Sequence, residues 1–311
     1  MNVLVVGGAG YIGGAVVDLL LESNHDVLVY DSLVFEESYR KDVEFVCGDI
    51  RDTEKLMVFL AKADCVIWLA AIVGDGACAV DPATTKIVNQ DMVEWLSKNY
   101  DGRIIFMSTC SVYGASDGIL DENSKTNPLS VYAETKLQAE SFLKDKNALI
   151  FRLGTLFGVG DYLSRIRLDL VVNTMTARAV SEGSLKVFGG DQWRPLLHVQ
   201  DVADTIVENI ATKNTGTFNL HYENMKMIDL AQQVSKLTGA KVDIVETPFE
   251  DNRNYRVNSN KAINELGFLP LFDLNDGIQE VATLIQAGRI KDLNNPRYSN
   301  QRFMEMFHGT N

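Results

Sequence analysis

The stretch "VVGGAGYIGG" (residues 5–14) decides the fold of this chain. It contains Gly7, Gly10 and Gly13 in a Gly-x-x-Gly-x-x-Gly pattern directly after an apolar run. Glycines at a strand-to-helix turn let the backbone bend tightly and approach a pyrophosphate, whose charge the N-terminus of the next helix stabilises. The pattern therefore predicts a dinucleotide-binding turn, although a tight turn that binds no ligand is also compatible with these glycines.

Short apolar runs alternate with helical patterns through the first half of the chain. Strands are predicted at residues 2–6, 26–30, 43–47, 65–70, 103–108 and 148–153, and helices at about 11–23, 53–62, 84–98 and 131–144. Apolar strands that alternate with helices indicate a parallel sheet covered on both faces. We therefore expect an α/β fold: a Rossmann-type, doubly wound parallel sheet with a smaller α/β part on its C-terminal side.

The pattern changes after residue 153. We expect an NAD-binding domain at 1–153, onto which 199–222 packs back, and a substrate-binding part made of 154–198 and 223–311. Helices are predicted at 167–183, 201–211 and 227–239, with a final helix at 273–288, and strands at 185–188 and 241–248. The two parts should enclose a cleft.

Composition excludes several classes of protein. The 311 residues are 46% hydrophobic and have a net charge of −13, which argues against nucleic-acid binding as the main role. The four cysteines form no Cys-x-x-Cys pair, so we expect reduced thiols and a cytoplasmic protein, with no metal site. The sequence has no run of about 18 apolar residues and no N-terminal signal pattern, so neither a membrane span nor secretion is expected.

Two aspartates follow predicted strands near the glycine turn. Asp31 ends the second strand, 18 positions after Gly13. A carboxylate there accepts hydrogen bonds from an adenosine ribose and repels a 2′-phosphate, which favours NAD over NADP, although a turn or cap role is the alternative. Asp49 follows the third strand and either faces adenine or forms an Asx turn.

Two further stretches contain candidate catalytic groups. "SVYAETK" (130–136) places Tyr132 and Lys136 on one face of a helix. A nearby ammonium and a positive nicotinamide would stabilise a phenolate, and lowering the pKa of a tyrosine by roughly 3 units needs about 4 kcal/mol. The pair alone is more typical of a solvated helix face, since the spacing is common by chance. "STCSVYG" (108–114) ends a predicted strand about 20 residues earlier and adds Thr109.

The ordered combination of the glycine pattern, Asp31, "STCSVYG" and "YAETK" resembles the extended short-chain dehydrogenase/reductases. More narrowly, it resembles the NAD-dependent nucleotide-sugar epimerase/dehydratase family. The resemblance implies NAD as cofactor, a nucleotide-diphosphate sugar as substrate, oxidation of its C4 hydroxyl by a 4-dehydrogenase or 4-epimerase, and a homodimer formed through the helices near 84–98 and 131–144. It also implies that Thr109 hydrogen-bonds the sugar, Tyr132 removes the hydroxyl proton, and Lys136 binds the nicotinamide ribose.

The same resemblance implies two sets of binding residues. The cofactor set is Gly7, Gly10, Tyr11, Ile12, Gly13, Asp31, Asp49, Ile50, Ala70, Ala71, Tyr132 and Lys136. The substrate set is Asp75, Thr109, Asn173, Arg194 and Arg253. A plain loop role is the alternative for Asp75, and surface salt bridges are the alternative for the two arginines. Arg165 and Arg167, in "SRIR", are expected to begin a solvated helix, and closure over the substrate is the alternative.

The sequence also departs from the family pattern. Cys110 and Ser111 stand where 4,6-dehydratases have an Asp-Glu pair, so dehydration is disfavoured. A packing role is expected for Cys110 at least as much as a substrate contact. Thr155 replaces the Asn of many relatives, which puts a substrate contact there in doubt. The segments at 167–173 and 188–199 resemble a branch from polysaccharide gene clusters, in which a GDP-manno-heptose 4-dehydrogenase is one specific expectation.

A second class of function fits the same fold. The chain could serve as a non-catalytic NAD-binding regulator or scaffold. The presence of Thr109, Tyr132 and Lys136 together argues against that alternative.

Overall fold

A computed structural model describes residues 1–163, 165–245 and 253–309, which contain fourteen strands. They are β1 Asn2–Val6, β2 Asp26–Asp31, β3 Glu44–Cys47, β4 Cys65–Trp68, β5 Arg103–Thr109, β6 Ala115–Leu120, β7 Ala148–Leu153, β8 Thr155–Phe157, β9 Ser184–Phe188, β10 Trp193–His198, β11 Gly216–Leu220, β12 Glu223–Lys226, β13 Lys241–Val245 and β14 Asn254–Val257. Seven form one parallel sheet in the order β11-β7-β5-β4-β1-β2-β3. All six strands predicted for the first half lie in this sheet.

The described residues also contain twelve α-helices. They are α1 Tyr11–Glu22, α2 Thr53–Leu60, α3 Asp75–Val80, α4 Pro82–Lys86, α5 Met92–Asn99, α6 Val131–Leu143, α7 Val171–Glu182, α8 Val199–Asn209, α9 Met227–Thr238, α10 Asn260–Leu266, α11 Leu274–Gln286 and α12 Asn300–Gly309. None of these helices is long and apolar enough to cross a membrane.

Helices cover both faces of the large sheet, as the apolar strands predict. Val3 and Val5 of β1 pack with α1 and α8 on one face, and Leu4 and Val6 pack with α2, α5 and α6 on the other. Each fully buried aliphatic side chain contributes roughly 1.5–3 kcal/mol relative to an exposed one. The buried strands are therefore the main source of the sheet's stability, and their carboxyl ends are held in fixed positions.

Three small sheets and a separate core lie outside the large sheet. One sheet has the order β12-β10-β8, and β9 pairs with β13 and β6 with β14. Leu196, Leu230 and Ile278 belong to a core formed with α7, α9 and α11. This core lies beside the carboxyl ends of the large sheet, where doubly wound folds bind ligands.

Three helix predictions need correction. The helix at 84–98 is interrupted by a π-helical turn at Ile87–Asp91. The helix predicted from 167 begins only at Val171, because Leu170 is extended, but it ends as predicted at Gly183, which has a φ of +67°. The helix at 273–288 is present as α11 but is not the last, since a 3₁₀ turn at Pro296–Tyr298 leads into α12. Of the strand predicted at 241–248, residues 246–248 lie outside the described residues.

Candidate active site

A cavity of about 1030 Å³ lies at the carboxyl ends of the large sheet. Every site residue predicted from the sequence lines it, except Asn173. Its volume is at the upper end of the range for single-ligand pockets, about 300–1,000 Å³. The cavity is therefore large enough for a dinucleotide and a second ligand. Among the described residues, no cluster of three or more His, Cys, Asp or Glu side chains could hold a metal ion.

The glycine turn at one end of the cavity is packed too tightly for side chains. Gly7 has a φ of +88°, and a Cβ there would lie 2.5 Å from the amide nitrogen of Ala70. A Cβ on Gly13 would lie 2.6 Å from the backbone of Gly8. No side chain caps α1 at Gly10, so the first amides of the helix have no partner within it. These amides fit a pyrophosphate, which is the part of NAD that such turns bind.

Asp31 lies at the end of β2 and lines the cavity beside this turn. Its carboxylate accepts hydrogen bonds from the amide of Ala9 at 3.0 Å and from the amide of Leu33 at 2.8 Å. Burial raises the pKa of this carboxyl, and the amides partly offset that rise. Asp31 therefore has the turn role that the sequence allowed, and these contacts hold its carboxylate in place. The hydrogen bond from this carboxylate to a ribose stays a prediction.

Asp49 forms the Asx turn that the sequence allowed. Its carboxylate accepts a hydrogen bond from the amide of Arg51 at 2.8 Å and forms an ion pair with the Arg51 guanidinium at 2.6 Å. Hydrogen bonding from Arg51 lowers the pKa of Asp49. Both residues line the cavity, and a contact of Asp49 with adenine stays a prediction.

The three predicted catalytic residues, Thr109, Tyr132 and Lys136, all line the cavity. Lys136 is 3% exposed, and its ammonium donates a hydrogen bond to the carbonyl of Met107 at 2.8 Å. Burial lowers the pKa of Lys136 to about 8. Burial raises the pKa of Tyr132, and hydrogen bonding with Thr109 offsets only part of that rise. The sequence argument for a lowered pKa of Tyr132 depends on the positive nicotinamide of bound NAD. It therefore stays a prediction for the complex with NAD.

A buried ion pair between Glu140 and Arg152 lies next to the catalytic residues. Arg152 Nη2 lies 2.7 Å from Glu140 Oε2, and Ser108 donates to Glu140 Oε1 at 2.5 Å. Arg152 also donates to the hydroxyl of Tyr113 at 2.9 Å. Because Glu140 is one turn after Lys136 on α6, this network joins the helix to the end of β5. Sequence reasoning missed both this pair and its contact with Tyr113.

Cys110 has the packing role expected for it. Its side chain is fully buried, does not line the cavity, and donates from Sγ to the carbonyl of Arg152 at 3.2 Å. Burial raises the pKa of its thiol. Cys110 is therefore an unreactive core residue.

Three of the predicted substrate residues, Asp75, Arg194 and Arg253, form a linked group in the cavity wall. Arg253 Nη1 lies 2.9 Å from Asp75 Oδ2, and Ser130 donates to Asp75 at 2.7 Å. The buried Arg194 donates to the carbonyls of Trp193, at 2.8 Å, and of Arg253. The sequence analysis expected salt bridges of these arginines only at the surface. The ion pair between Arg253 and Asp75 instead lies in the cavity wall.

Asn173 is not brought into the cavity. Its amide nitrogen donates to the carbonyls of Gly158 at 3.0 Å and Arg167 at 2.8 Å, and its oxygen accepts from the amide of Gly158 at 3.0 Å. Its amide is thus used to anchor the loop before α7. We assign it a structural role in place of the predicted substrate contact.

The expectation of a solvated helix start at Arg165 and Arg167 is wrong. Both side chains are more than nine-tenths buried, and both line the cavity. Arg167 forms an ion pair with Asp169 at 2.9 Å. The reason is the late start of α7, which leaves this segment extended along the cavity wall.

The C-terminal helix completes the cavity, and no prediction from sequence included it. Asn300 and Met304 of α12 line the wall, and Phe303 packs on Phe35 with ring centroids 4.7 Å apart. Asn300 also donates to the carbonyl of Val73 at 2.7 Å. These partners are more than 200 residues away in sequence, so no local pattern could have indicated them.

Comparison with known proteins places this geometry in context. The model of the NAD dependent epimerase/dehydratase family matches residues 3–222. A UDP-glucose 4-epimerase of Rhizobium meliloti is 31% identical, over 88% of this chain and 93% of its own. A dTDP-glucose 4,6-dehydratase of Streptomyces niveus is 27% identical, over 90% and 91%. The crystal structure of a Bacillus cereus UDP-glucuronic acid 4-epimerase, in complex with UDP-glucuronic acid and NAD, has 25% identity and a TM-score of 0.79, over 92% and 99%.

Proposed function

Because the chain belongs to the NAD-dependent epimerase/dehydratase family, we propose that it oxidises the C4 hydroxyl of a nucleotide-diphosphate sugar to a ketone. It does so either as a net 4-dehydrogenase or as the first half of a 4-epimerisation. One observation supports this most strongly: Thr109, Tyr132 and Lys136 converge on a cavity that the glycine turn and Arg194 also line. Cofactor, reacting hydroxyl and diphosphate thus share one enclosure.

The protein residues act on the proton and on the position of the sugar. NAD, when bound, accepts the hydride from the carbon that is oxidised. Tyr132 removes the hydroxyl proton as general base, and Thr109 beside it holds the same oxygen by a hydrogen bond. Lys136 binds the nicotinamide ribose, and its positive charge favours the phenolate of Tyr132.

The binding roles divide along the cavity. We assign cofactor binding to residues 1–153 with 199–222, and most of substrate binding to 154–198 and 223–311, while Asp75 and Thr109 of the first range face the sugar. Arg194 and Arg253 suit a diphosphate, because each guanidinium offers a fork of donors to phosphate oxygens.

Residues 110 and 111 favour redox chemistry without dehydration, although a 4,6-dehydratase is among the relatives. Elimination of water needs an acid and a base in addition to the redox step. Cys110 is buried away from the cavity, and the hydroxyl of Ser111 lies 3.3 Å from that of Tyr255. Neither position provides a carboxylate. The resemblance of 167–173 and 188–199 to one polysaccharide branch makes a GDP-heptose the first substrate to try.

The proposal is tested by incubating the protein with UDP-, GDP-, dTDP- and CDP-sugars, including a GDP-heptose. Absorbance at 340 nm follows reduction of NAD, and NMR identifies the product. A lasting signal with a 4-keto sugar indicates a dehydrogenase, and a C4 epimer indicates an epimerase. Neither signal with any sugar contradicts the proposal.

The matched control is Tyr132→Phe, which keeps the ring and removes the hydroxyl. Loss of the general base should lower turnover by about 10²–10⁴-fold with NAD still bound. Unchanged turnover would show that Tyr132 is not the base. Bound NAD with no turnover in the wild-type protein as well would favour a regulator or scaffold.

A further inference from the structure

Arg165 is a buried cation with almost no partner in the described protein. Its side chain is 6% exposed, and its one hydrogen bond there is a long one, from Nη2 to the carbonyl of Arg297 at 3.5 Å. Its Nε is buried without a partner. No carboxylate of the described residues forms an ion pair with it. Buried charges in proteins are normally paired, so this one indicates a partner outside the chain.

The guanidinium of Arg165 is held in place by packing. It lies over the ring of Phe35 at 3.5 Å, in the segment that follows Asp31. An ion pair at 2.9 Å between Glu36 and Arg297 joins that segment to the 3₁₀ turn that precedes the C-terminal helix. The side chain is therefore pre-organised, which reduces the entropy lost when a ligand binds.

The surroundings of Arg165 are positively charged. Arg167 is paired with Asp169, and Arg297 is paired with Glu36. With Arg165, three guanidinium charges face two carboxylates, which leaves one positive charge. Burial raises the pKa of Tyr11 and of Tyr132, and Arg167 is close enough to both phenols to offset part of that rise. The cluster thus lies near both the N-terminus of α1 and the catalytic tyrosine.

A second buried polar atom without a partner belongs to another residue that lines the cavity. Asn300 is 4% exposed, and its Oδ1 is buried without a hydrogen-bond partner, although its nitrogen is bonded to Val73. It lines the cavity together with Arg165. An amide oxygen accepts hydrogen bonds, so it complements a hydroxyl of the ligand whose anion Arg165 binds.

We propose that Arg165 binds a phosphate group of a ligand in this cavity, either the pyrophosphate of NAD or the diphosphate of the nucleotide sugar. The inference rests on the proposed function, since both sources are ligands of that function. A phosphate suits the planar guanidinium fork and supplies the missing counter-charge. Burial and the neighbouring Arg167 lower the pKa of Arg165 to about 9, and a bound anion would reverse that effect.

The test uses full-length Arg165→Gln and calorimetric titration with NAD⁺ in one arm, and with UDP and GDP in the other. We expect binding in at least one arm to weaken by about 10-fold or more, and the arm that weakens identifies the source of the phosphate. The melting temperature of the ligand-free variant should rise, because an unpaired buried charge is removed. If Arg165 had only a structural role, its replacement would lower both the ligand affinity and the melting temperature.

Two further variants keep the test decisive. Arg165→Lys retains the charge without the fork and should show an intermediate loss, which settles the matter if Arg165→Gln does not fold. Arg302→Gln removes an exposed arginine of α12, outside the cavity, and should bind as the wild type does. If the Arg165 variants bind every probe within about 2-fold of the wild type, the inference is wrong. That result leaves the proposed function intact wherever the wild type still oxidises a nucleotide sugar.

Discussion

Lys136 shows at the scale of one residue how function is built at the expense of stability. Its ammonium is buried with a single hydrogen bond to a backbone carbonyl, and burial lowers its pKa to about 8. A charged lysine in this environment destabilises the folded state, because its ammonium is fully hydrated only in the unfolded state. Such a residue is typical of an active site, where a buried charge has a task in catalysis.

We expect Lys136→Met to stabilise the protein at pH 7 by about 1–3 kcal/mol while removing activity. The native state releases its proton near pH 8 and the unfolded state near pH 10.5, so the unfolded state binds more protons between these values. The free energy of unfolding of the wild type therefore rises relative to that of the variant as the pH rises through this window. Urea unfolding at pH 7 and at pH 10 measures both effects, and a variant that is less stable at pH 7 would contradict this view.

Glu140 and Arg152 differ from Lys136, because their buried charges neutralise each other. Glu140→Ala leaves a buried guanidinium unpaired and should lower the free energy of unfolding by about 3–5 kcal/mol. The exposed pair Lys98–Glu94 provides the control, since Glu94→Ala should cost less than about 1 kcal/mol. Equal losses in urea unfolding would argue against the supporting role of the buried pair.

At the scale of elements, the glycine turn is distinguished from ordinary helix ends by what surrounds it. Gly7→Ala combines a positive φ with a Cβ position 2.5 Å from the amide nitrogen of Ala70. Gly183→Ala, at the end of α7, has a similar φ of +67° but no atom within 4 Å. We expect the first change to abolish NAD binding or folding, and the second to cost about 1 kcal/mol, as thermal unfolding and NAD titration would show. Normal NAD binding by Gly7→Ala would contradict the tight-turn account.

The C-terminal helix α12 is the element that local sequence could least predict. Phe303→Ala removes its contact with Phe35. We expect NAD to dissociate several-fold faster, which stopped-flow displacement of bound NADH can measure. Leu237→Ala, on the exposed side of α9, is the control and should leave the rate unchanged.

At the scale of the whole molecule, sequence predicted the fold well because its signals are local. Apolar runs specify buried parallel strands, and residues such as Gly7 and Asp31 lie at fixed distances from them. Contacts between distant segments could not be predicted in the same way. The burial of Arg165, the anchoring role of Asn173 and the packing of α12 all depend on residues more than 100 positions away or on where a loop runs.

The assembly remains a prediction at this scale. We expect a homodimer through α6 and the α4–α5 region, whose π-helical turn leaves Ile87 41% exposed. An apolar side chain at that position suits burial against a second copy. Ile87→Glu should then shift the protein to a monomer in light scattering, and a wild-type protein that is monomeric at all concentrations would contradict the expectation.

Transfer of deuterium from C4 tests the central claim most directly. A nucleotide sugar that reacts in the absorbance assay is prepared with deuterium at C4, mixed with excess protein, and quenched within one turnover. Mass spectrometry of the extracted cofactor should then show NADH with one deuterium, and the Tyr132→Phe variant should show almost none. Reduced cofactor without deuterium, from a sugar that keeps its C4 label, would contradict oxidation at C4.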